Sequence, residues 1–463
     1  MTTEFNDVQR IVLHGSAWEA ARHVVLSFPD NASAPRFLDR LGHHDLWPTG
    51  ARYSAEAQQG PPRQVSLGFT RRGLEHARVP RHVLSLFALK SPAFHAGAAL
   101  RAAAHLGPTA GQPKGWKPPY GFTTLDALIT VHGRDAADVD EAMRTVYQIA
   151  CRANAHTHEL AAARRLPTPK GEHEVKDAMW THFGFRDGLS RVGITGWTRK
   201  EDMEKCNKGS QHSAGEFLLG HPQDSGANPW IAGPDGRVWP EAIRSFFRNG
   251  SFGVLHQIQQ HVEAFELFVD ECARDTGLAR PEIKAKLCGR HTNGRPLAID
   301  QPPEDDFDYS ADTDGSLCPF GAHTRRMNPR GADFAHSVRR RPLLRRGLPY
   351  GLGVGVEQGL MGQFFCASIE DQFEHLVGQW ADRVPLGSPD AGGARDPMFG
   401  AHASGDGAFV IPRRTGKPIA LRAMEAFAST VGLAYLFYPS LTALEGIRKG
   451  SPWRLADGEE DEQ

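Results

Sequence analysis

Cysteine is scarce and scattered. The 463 residues hold six, at 151, 206, 272, 288, 318 and 366, and no two form a C-x-x-C pair. That spacing excludes a zinc ribbon and gives no sign of a disulfide framework. The missing C-x-x-C-H also excludes a covalently attached c-type haem. Long apolar runs are absent too: the longest, VGLAYLFY at 431–438, is less than half of the roughly 20 residues that span a bilayer. Nor does one sign of charge dominate. With 53 Lys+Arg against 54 Asp+Glu the formal net charge is −1, which argues against a partner made of nucleic acid or acidic lipid. The opening MTTEFNDVQR has no basic region, apolar region or twin arginine, so a cytoplasmic protein is expected.

What is present is ordinary globular composition, with 40% hydrophobic and 23% charged residues, enough to bury a large core. HVVLSF (23–28) reads as a strand. Ser33 then offers an N-cap, Pro35 an early helical residue, Phe37, Leu38 and Leu41 an apolar face, and Gly42 a stop. DALITVH (126–132) precedes a helix with Val139, Met143, Val146 and Ala150 on one side. The second half repeats the pattern. SFGVLHQI (251–258) leads to a helix carrying Val262, Phe265, Val269 and Cys272, and LMGQFFC (360–366) to one carrying Phe373, Val377 and Trp380. The expectation is one unit present twice, each an antiparallel sheet with helices on one face. Breaker-rich segments lie at 107–121, 166–172, 299–316 and 384–408, and the boundary between halves falls within 199–249.

Several short passages can carry chemistry. In HFGFRDGLS (182–190), Asp187-Gly188 reads first as a turn, but Gly184 and Gly188 also let the backbone approach a ligand beside the Asp187 carboxylate. In CPFGAHTRRMNPR (318–330), His323 follows a Pro-Phe-Gly turn. From 323 to 346 there are eight arginines (325, 326, 330, 339, 340, 341, 345, 346) and one acid, Asp333. Six acids in EDDFDYSADTD (304–314) disfavour nucleic acid there, and a small polyanion, a phosphate or a haem carboxylate, fits better. His156 and His158 form H-x-H but are placed on a helix, where i and i+2 diverge, so they are set aside as a metal site. GLGVGV (351–356) lacks the context of a dinucleotide loop.

Taken in order, G-F-R-D-G (184–188), C-P-F-G-A-H-T-R-R-x-N-P-R (318–330) and L-R-R-G-L-P-Y-G (344–351) resemble the dye-decolourising peroxidases. QVSLGFTRRGLE (64–75), GEFLLG (215–220), NGSFGVLHQI (249–258), CASIEDQFEHLVGQW (366–380) and YPSLTAL (438–444) extend the resemblance from about 23 to 446. It implies an α+β fold of two ferredoxin-like halves, drawn here at 1–210 and 211–463, with one haem b per chain between them. It implies His323 as the iron ligand, with Asp396 of RDPMFG as the acceptor for its other N–H, and Asp187 and Arg345 as the groups that act on peroxide. Arg345 is chosen over Arg346 because the family's arginine stands six residues before the Gly that closes the segment, here Gly351. Arg326 is expected to meet a haem carboxylate, Gly188 to let the backbone approach the haem, and Leu360, Gly362 and Phe364 to wall the cavity.

The implied activity is reduction of hydrogen peroxide and one-electron oxidation of dyes, phenols or other organic reductants through a ferryl haem. A haem carrier or iron-releasing protein is the alternative, and a haem-free anion binder a third. Exported members of the family carry a twin-arginine signal, so its absence favours the cytoplasm. No nucleic-acid or membrane partner is implied, and a homo-oligomer stays open. Trp380 reads as core packing or as an electron relay for substrates too bulky to enter.

Overall fold

The structure, a computed structural model, describes residues 3–15, 18–51, 63–121, 124–172, 174, 178–204, 206, 208–298, 307–331, 341–353, 355–383, 395–402, 407–450 and 453. Asp333, Arg339, Arg340, the acids 304–306, most of the 384–408 segment and the acidic tail lie outside them.

Nine strands form the main sheet. They are β1 (Ala20–Ser27), β2 (Arg63–Phe69), β3 (Ala127–Gly133), β4 (His156–Glu159), β5 (Ala163–Arg164), β6 (Ser251–Gln260), β7 (Leu344–Tyr350), β8 (Gly359–Cys366) and β9 (Ala428–Tyr438). The order is β3-β2-β9-β6-β8-β7-β5-β1-β4, and β1 also pairs with β3, so the sheet closes into a barrel with β4 as a flap on β1. Each half of the chain supplies a continuous arc. The arcs meet at two seams of one residue pair each, Phe69 with Phe437 and Ala163 with Tyr350. All these pairings are antiparallel.

The helices follow the strands as their apolar spacing dictates. α1 (Ser33–Gly42) buries Phe37, Leu38 and Leu41, and α2 (Ala136–Arg152) buries Val139, Met143, Val146 and Ala150. The start of α1 is set by Asp30 rather than Ser33. Its Oδ1 accepts from Ala32 N, Ser33 N and Ser33 Oγ, so Ser33 is already inside the helix and Gly42 ends within it. α3 (Val262–Thr276) stops at Gly277, whose φ of +71° is the left-handed turn that favours glycine. The helix after β8 is wound with the wider π repeat over Ile369–Glu374 and Leu376–Ala381. The main core lies between barrel and helices, where Phe87, Phe94, Phe246, Phe247, Phe252 and Phe437 stack on one another.

His156 and His158 are on β4, not on a helix. A strand puts i and i+2 on one face, yet both are exposed and, among the described residues, no group of three His, Cys, Asp or Glu side chains could hold a metal ion. Among the described residues, no helix is long and apolar enough to cross a membrane.

Candidate active site

A cavity of about 920 Å³ opens on the outer face of the β6-β8-β7 wall. Asp187, Gly188, His323, Arg345, Leu360, Phe364 and Trp380 all line it. The register explains the wall. Arg345 stands opposite Phe364, and Gly362 opposite both Gly347 and His256, so these positions share a face. A Cβ on Gly362 would come within 2.7 Å of the Phe364 ring, so the bare glycine makes room for that ring.

His323 opens a short helix, His323–Met327, after the turn closed by Ala322 N to Pro319 O. The helix packs on Gly289, where a Cβ would meet Thr324 Oγ1 at 2.1 Å, so only glycine permits this approach. The His323 side chain is 34% exposed, while its Nδ1 lies 2.8 Å from Oδ2 of the fully buried Asp396. Asp396 Oδ1 accepts from Met398 N and Phe399 N. Burial pushes the Asp396 carboxyl up, but His323 and Arg326 together outweigh it and leave it below the ordinary range. An ionised acceptor draws the imidazole proton to Nδ1 and leaves the Nε2 lone pair for a ligand.

Asp187 sits in the two-residue strand Arg186–Asp187, which pairs with Met179–Trp180, and Arg186 N donates to Thr292 O at 2.8 Å. Gly188 follows with φ +74°. Arg345 Nη2 is 3.6 Å from Asp187 Oδ1, both side chains half open. Arg346 points through the strand instead, its Nε donating to Ile11 O and Nη2 to Val12 O.

Arg326 is buried and is not among the residues that line the cavity. Its Nε donates to Trp380 O at 2.9 Å and its Nη2 to the Arg383 carbonyl. These are carbonyls at the end of the π-wound helix, where orphan acceptors and the negative dipole end attract a cation. Arg330, the final residue of the same motif, lines the cavity, as do Arg290 and Arg341. The sequence offered the signal for Arg330, the N-P-R that closes the motif. Thr324 and Tyr309, also at the wall, carried none.

Trp380 is half-buried at the end of the helix and lines the cavity together with Phe373 and Val377. Its ring meets that of His375 edge-on, centroids 5.7 Å apart.

The cavity fits a haem. Its size suits a large planar ligand, its wall combines Leu360, Phe364, Phe373, Val377 and Met398 with arginines, and the His323 imidazole enters it with Nε2 open.

One face of a closed antiparallel barrel of two arcs thus carries a carboxylate-backed histidine and an Asp–Arg pair on one cavity. In sequence as in fold the chain is similar to dye-decolourising peroxidases. No family model matches it. It is 26% identical over 402 residues to a dye-decolorizing peroxidase of Mycetinis scorodonius, covering 78% of this chain and 72% of that one. With a multifunctional dye peroxidase of an Amycolatopsis species it shares 27% over 297 residues, 58% of this chain and 60% of that one. The solved structure of an Amycolatopsis dye-decolorizing-type peroxidase superposes with a TM-score of 0.77 at 24% identity, over 96% of each chain. A decolorizing peroxidase from Auricularia auricula-judae gives 0.76 at 21%, over 96% of this chain and 99% of that one.

Proposed function

We propose that the protein is a haem peroxidase that reduces hydrogen peroxide and oxidises dyes, phenols or other organic reductants one electron at a time. The observation that carries this reading is the meeting, on one cavity, of the His323–Asp396 pair with the Asp187–Arg345 pair. The curated relatives and fold neighbours named as dye-decolorizing peroxidases support it. We further assign one haem b per chain, held by His323 through Nε2, with Arg330 and Arg341 as cationic partners for its carboxylates.

When bound, the haem supplies the iron that coordinates peroxide and accepts the electrons of the reductant. The chain's own residues do the proton work. Asp187, ionised beside Arg345, takes a proton from peroxide and returns it to the departing oxygen. Arg345 stabilises the negative charge that develops on that oxygen. Asp396 holds the His323 ring in one tautomer and orientation and raises its basicity. Leu360 and Phe364 give the cavity an apolar wall beside the Asp187–Arg345 pair.

Two wider assignments complete the proposal. The halves divide at 210/211, as the two arcs of the barrel suggest. The compartment is the cytoplasm, supported by six free cysteines of which five are buried. A haem carrier has no use for the Asp187–Arg345 pair, so the peroxidase reading is preferred to it. The deciding experiment is an optical spectrum of the purified protein before and after one equivalent of peroxide. A Soret band that shifts on mixing, followed by peroxide-dependent bleaching of a dye, is the expected result. A stable Soret band without any shift leaves a haem carrier, and no Soret band removes haem altogether.

A further inference from the structure

The cavity has a second stretch of wall that the peroxide chemistry does not use. There the two-residue strands Gly193–Ile194 and Gln211–His212 run parallel, and Ile194, Trp197 and His212 line the cavity. The Trp197 indole stands edge-on to both Phe5 and His14, with ring centroids 5.9 and 5.2 Å away, which stiffens the wall. The His212 side chain is only 4% exposed, and its Nδ1 lies 2.7 Å from Asp224 Oδ2. Asp224 Oδ1 accepts from Ser213 N at 2.6 Å. Burial works against charge on Asp224, but the Ser213 N–H and His212 outweigh it and hold the carboxyl below its ordinary range. An ionised acceptor at Nδ1 fixes the imidazole proton there and leaves a lone pair on Nε2. Nε2 has no protein partner among the described residues and is not sealed from solvent, so its opening is the cavity that His212 lines.

Aromatic and aliphatic side chains with a few polar ones, here Thr198, Asp202 and Ser210 beside His212, are the usual make-up of a small-molecule site. Asp202 is tied to Arg199, whereas His212 Nε2 is an open proton acceptor. Oxidation of a phenol by one electron turns its hydroxyl into a strong acid, so the electron leaves readily only where a base takes the proton. We propose that His212 and Asp224 form a phenol subsite, in which a small phenol lies against Trp197 and donates its O–H to His212 Nε2. The proposal rests on the peroxidase reading above, which supplies the oxidant. In the step, the phenol O–H bond breaks and its proton forms an N–H bond on Nε2. One electron passes to the peroxide-oxidised haem, and a neutral phenoxyl radical departs. The imidazolium is then paired with Asp224, which at 43% exposure gives the proton a way out to solvent.

The test compares two donors on the holoenzyme: phenol, which must lose a proton, and ferrocyanide, which gives an electron alone. In His212→Gln, kcat/KM for phenol should fall at least about 10²-fold, the scale of a positioned base, with ferrocyanide oxidation and the Soret change on mixing with peroxide unaltered. Asp224→Asn, which keeps the size but removes the charge, should fall in the same direction. Wild-type rates with phenol in His212→Gln overturn the subsite, and so does an equal loss on both donors. A wild-type protein that shows no Soret change with peroxide instead refutes the peroxidase reading beneath it. A crystal of the wild-type holoenzyme soaked in phenol needs no variant. It should place the phenol oxygen within hydrogen-bond reach of His212 Nε2, and a phenol bound only elsewhere overturns the proposal.

Discussion

Arg345 and Arg346 are neighbours in the chain and serve opposite faces of one strand. Arg345 reaches the Asp187 carboxylate at 3.6 Å, while Arg346, which also borders the cavity, is held by the carbonyls of Ile11 and Val12. The alternation of a strand produces this division of labour. Arg345→Leu and Asp187→Asn should each slow the reaction with peroxide by at least about 10²-fold in stopped-flow at the Soret band. Because both act in one step, the double variant should lose far less than the product of the two. Arg346→Leu should instead lower the melting temperature, with its peroxide rate close to wild type.

Haem retention should follow His323. His323→Ala is expected to purify with little or no haem, read as the ratio of Soret to protein absorbance. Asp396→Asn keeps the ligand but takes away the acceptor that orients it, and should weaken haem affinity by about 10- to 100-fold. Full haem occupancy and an unchanged spectrum in His323→Ala would contradict the assignment.

Stability should fall on mild acidification because of buried histidines. Burial pushes His256 down to about 3 and His132 to about 4, and lowers His23 well below its ordinary value, with His132 and Arg22 adding to it. In the unfolded chain these rings take up protons near pH 6.5. The unfolded state therefore binds more protons below that pH, and stability declines as pH drops from about 6.5 toward 4, by about 1.4 kcal/mol per pH unit for each proton. Urea denaturation between pH 7 and 4.5 measures the slope, and His256→Gln should reduce it by one proton.

The reading of Trp380 as an electron relay for dyes too large to enter, against simple core packing, has a direct test. Trp380→Phe keeps most of the ring but removes the readily oxidised indole. Turnover of a bulky anthraquinone dye should drop, while the peroxide step and the oxidation of small phenols stay near wild type. Equal losses on both substrates would mean damaged packing instead, and an unaffected dye rate would eliminate the relay.

The order of strands and helices was legible wherever apolar spacing was regular, as in β1, β6, α2 and α3. Closure of both halves into one barrel was not. It depends on two single-pair seams, and nothing local in Phe69, Phe437, Ala163 or Tyr350 announces them. H-x-H at 156–158 was placed on a helix because the preceding helical pattern had no visible stop; the chain turns at Asn154, with φ +60°, before pairing with β1. At the site, motif order indicated Asp187, His323 and Arg345, which line one cavity. The arginines were harder to sort, because a run of them does not say which guanidinium meets a ligand and which meets a helix end. His212 was invisible for a similar reason, since its partner Asp224 becomes meaningful only once a fold brings the two side chains together.

The position of β9 has a consequence for the order of events during synthesis. This strand, made near residue 430, lies between β2 and β6 and is the link through which the two arcs join on that side. Until it emerges from the ribosome, β6 exposes an unpaired edge and the cavity lacks the wall supplied by Ala428. His323 is by then already made, so the proposed ligand precedes a pocket able to keep what it binds. Loading with haem is in consequence expected only once this strand is in place, and a nascent chain stalled before residue 428 would carry an open edge prone to pairing with its neighbours.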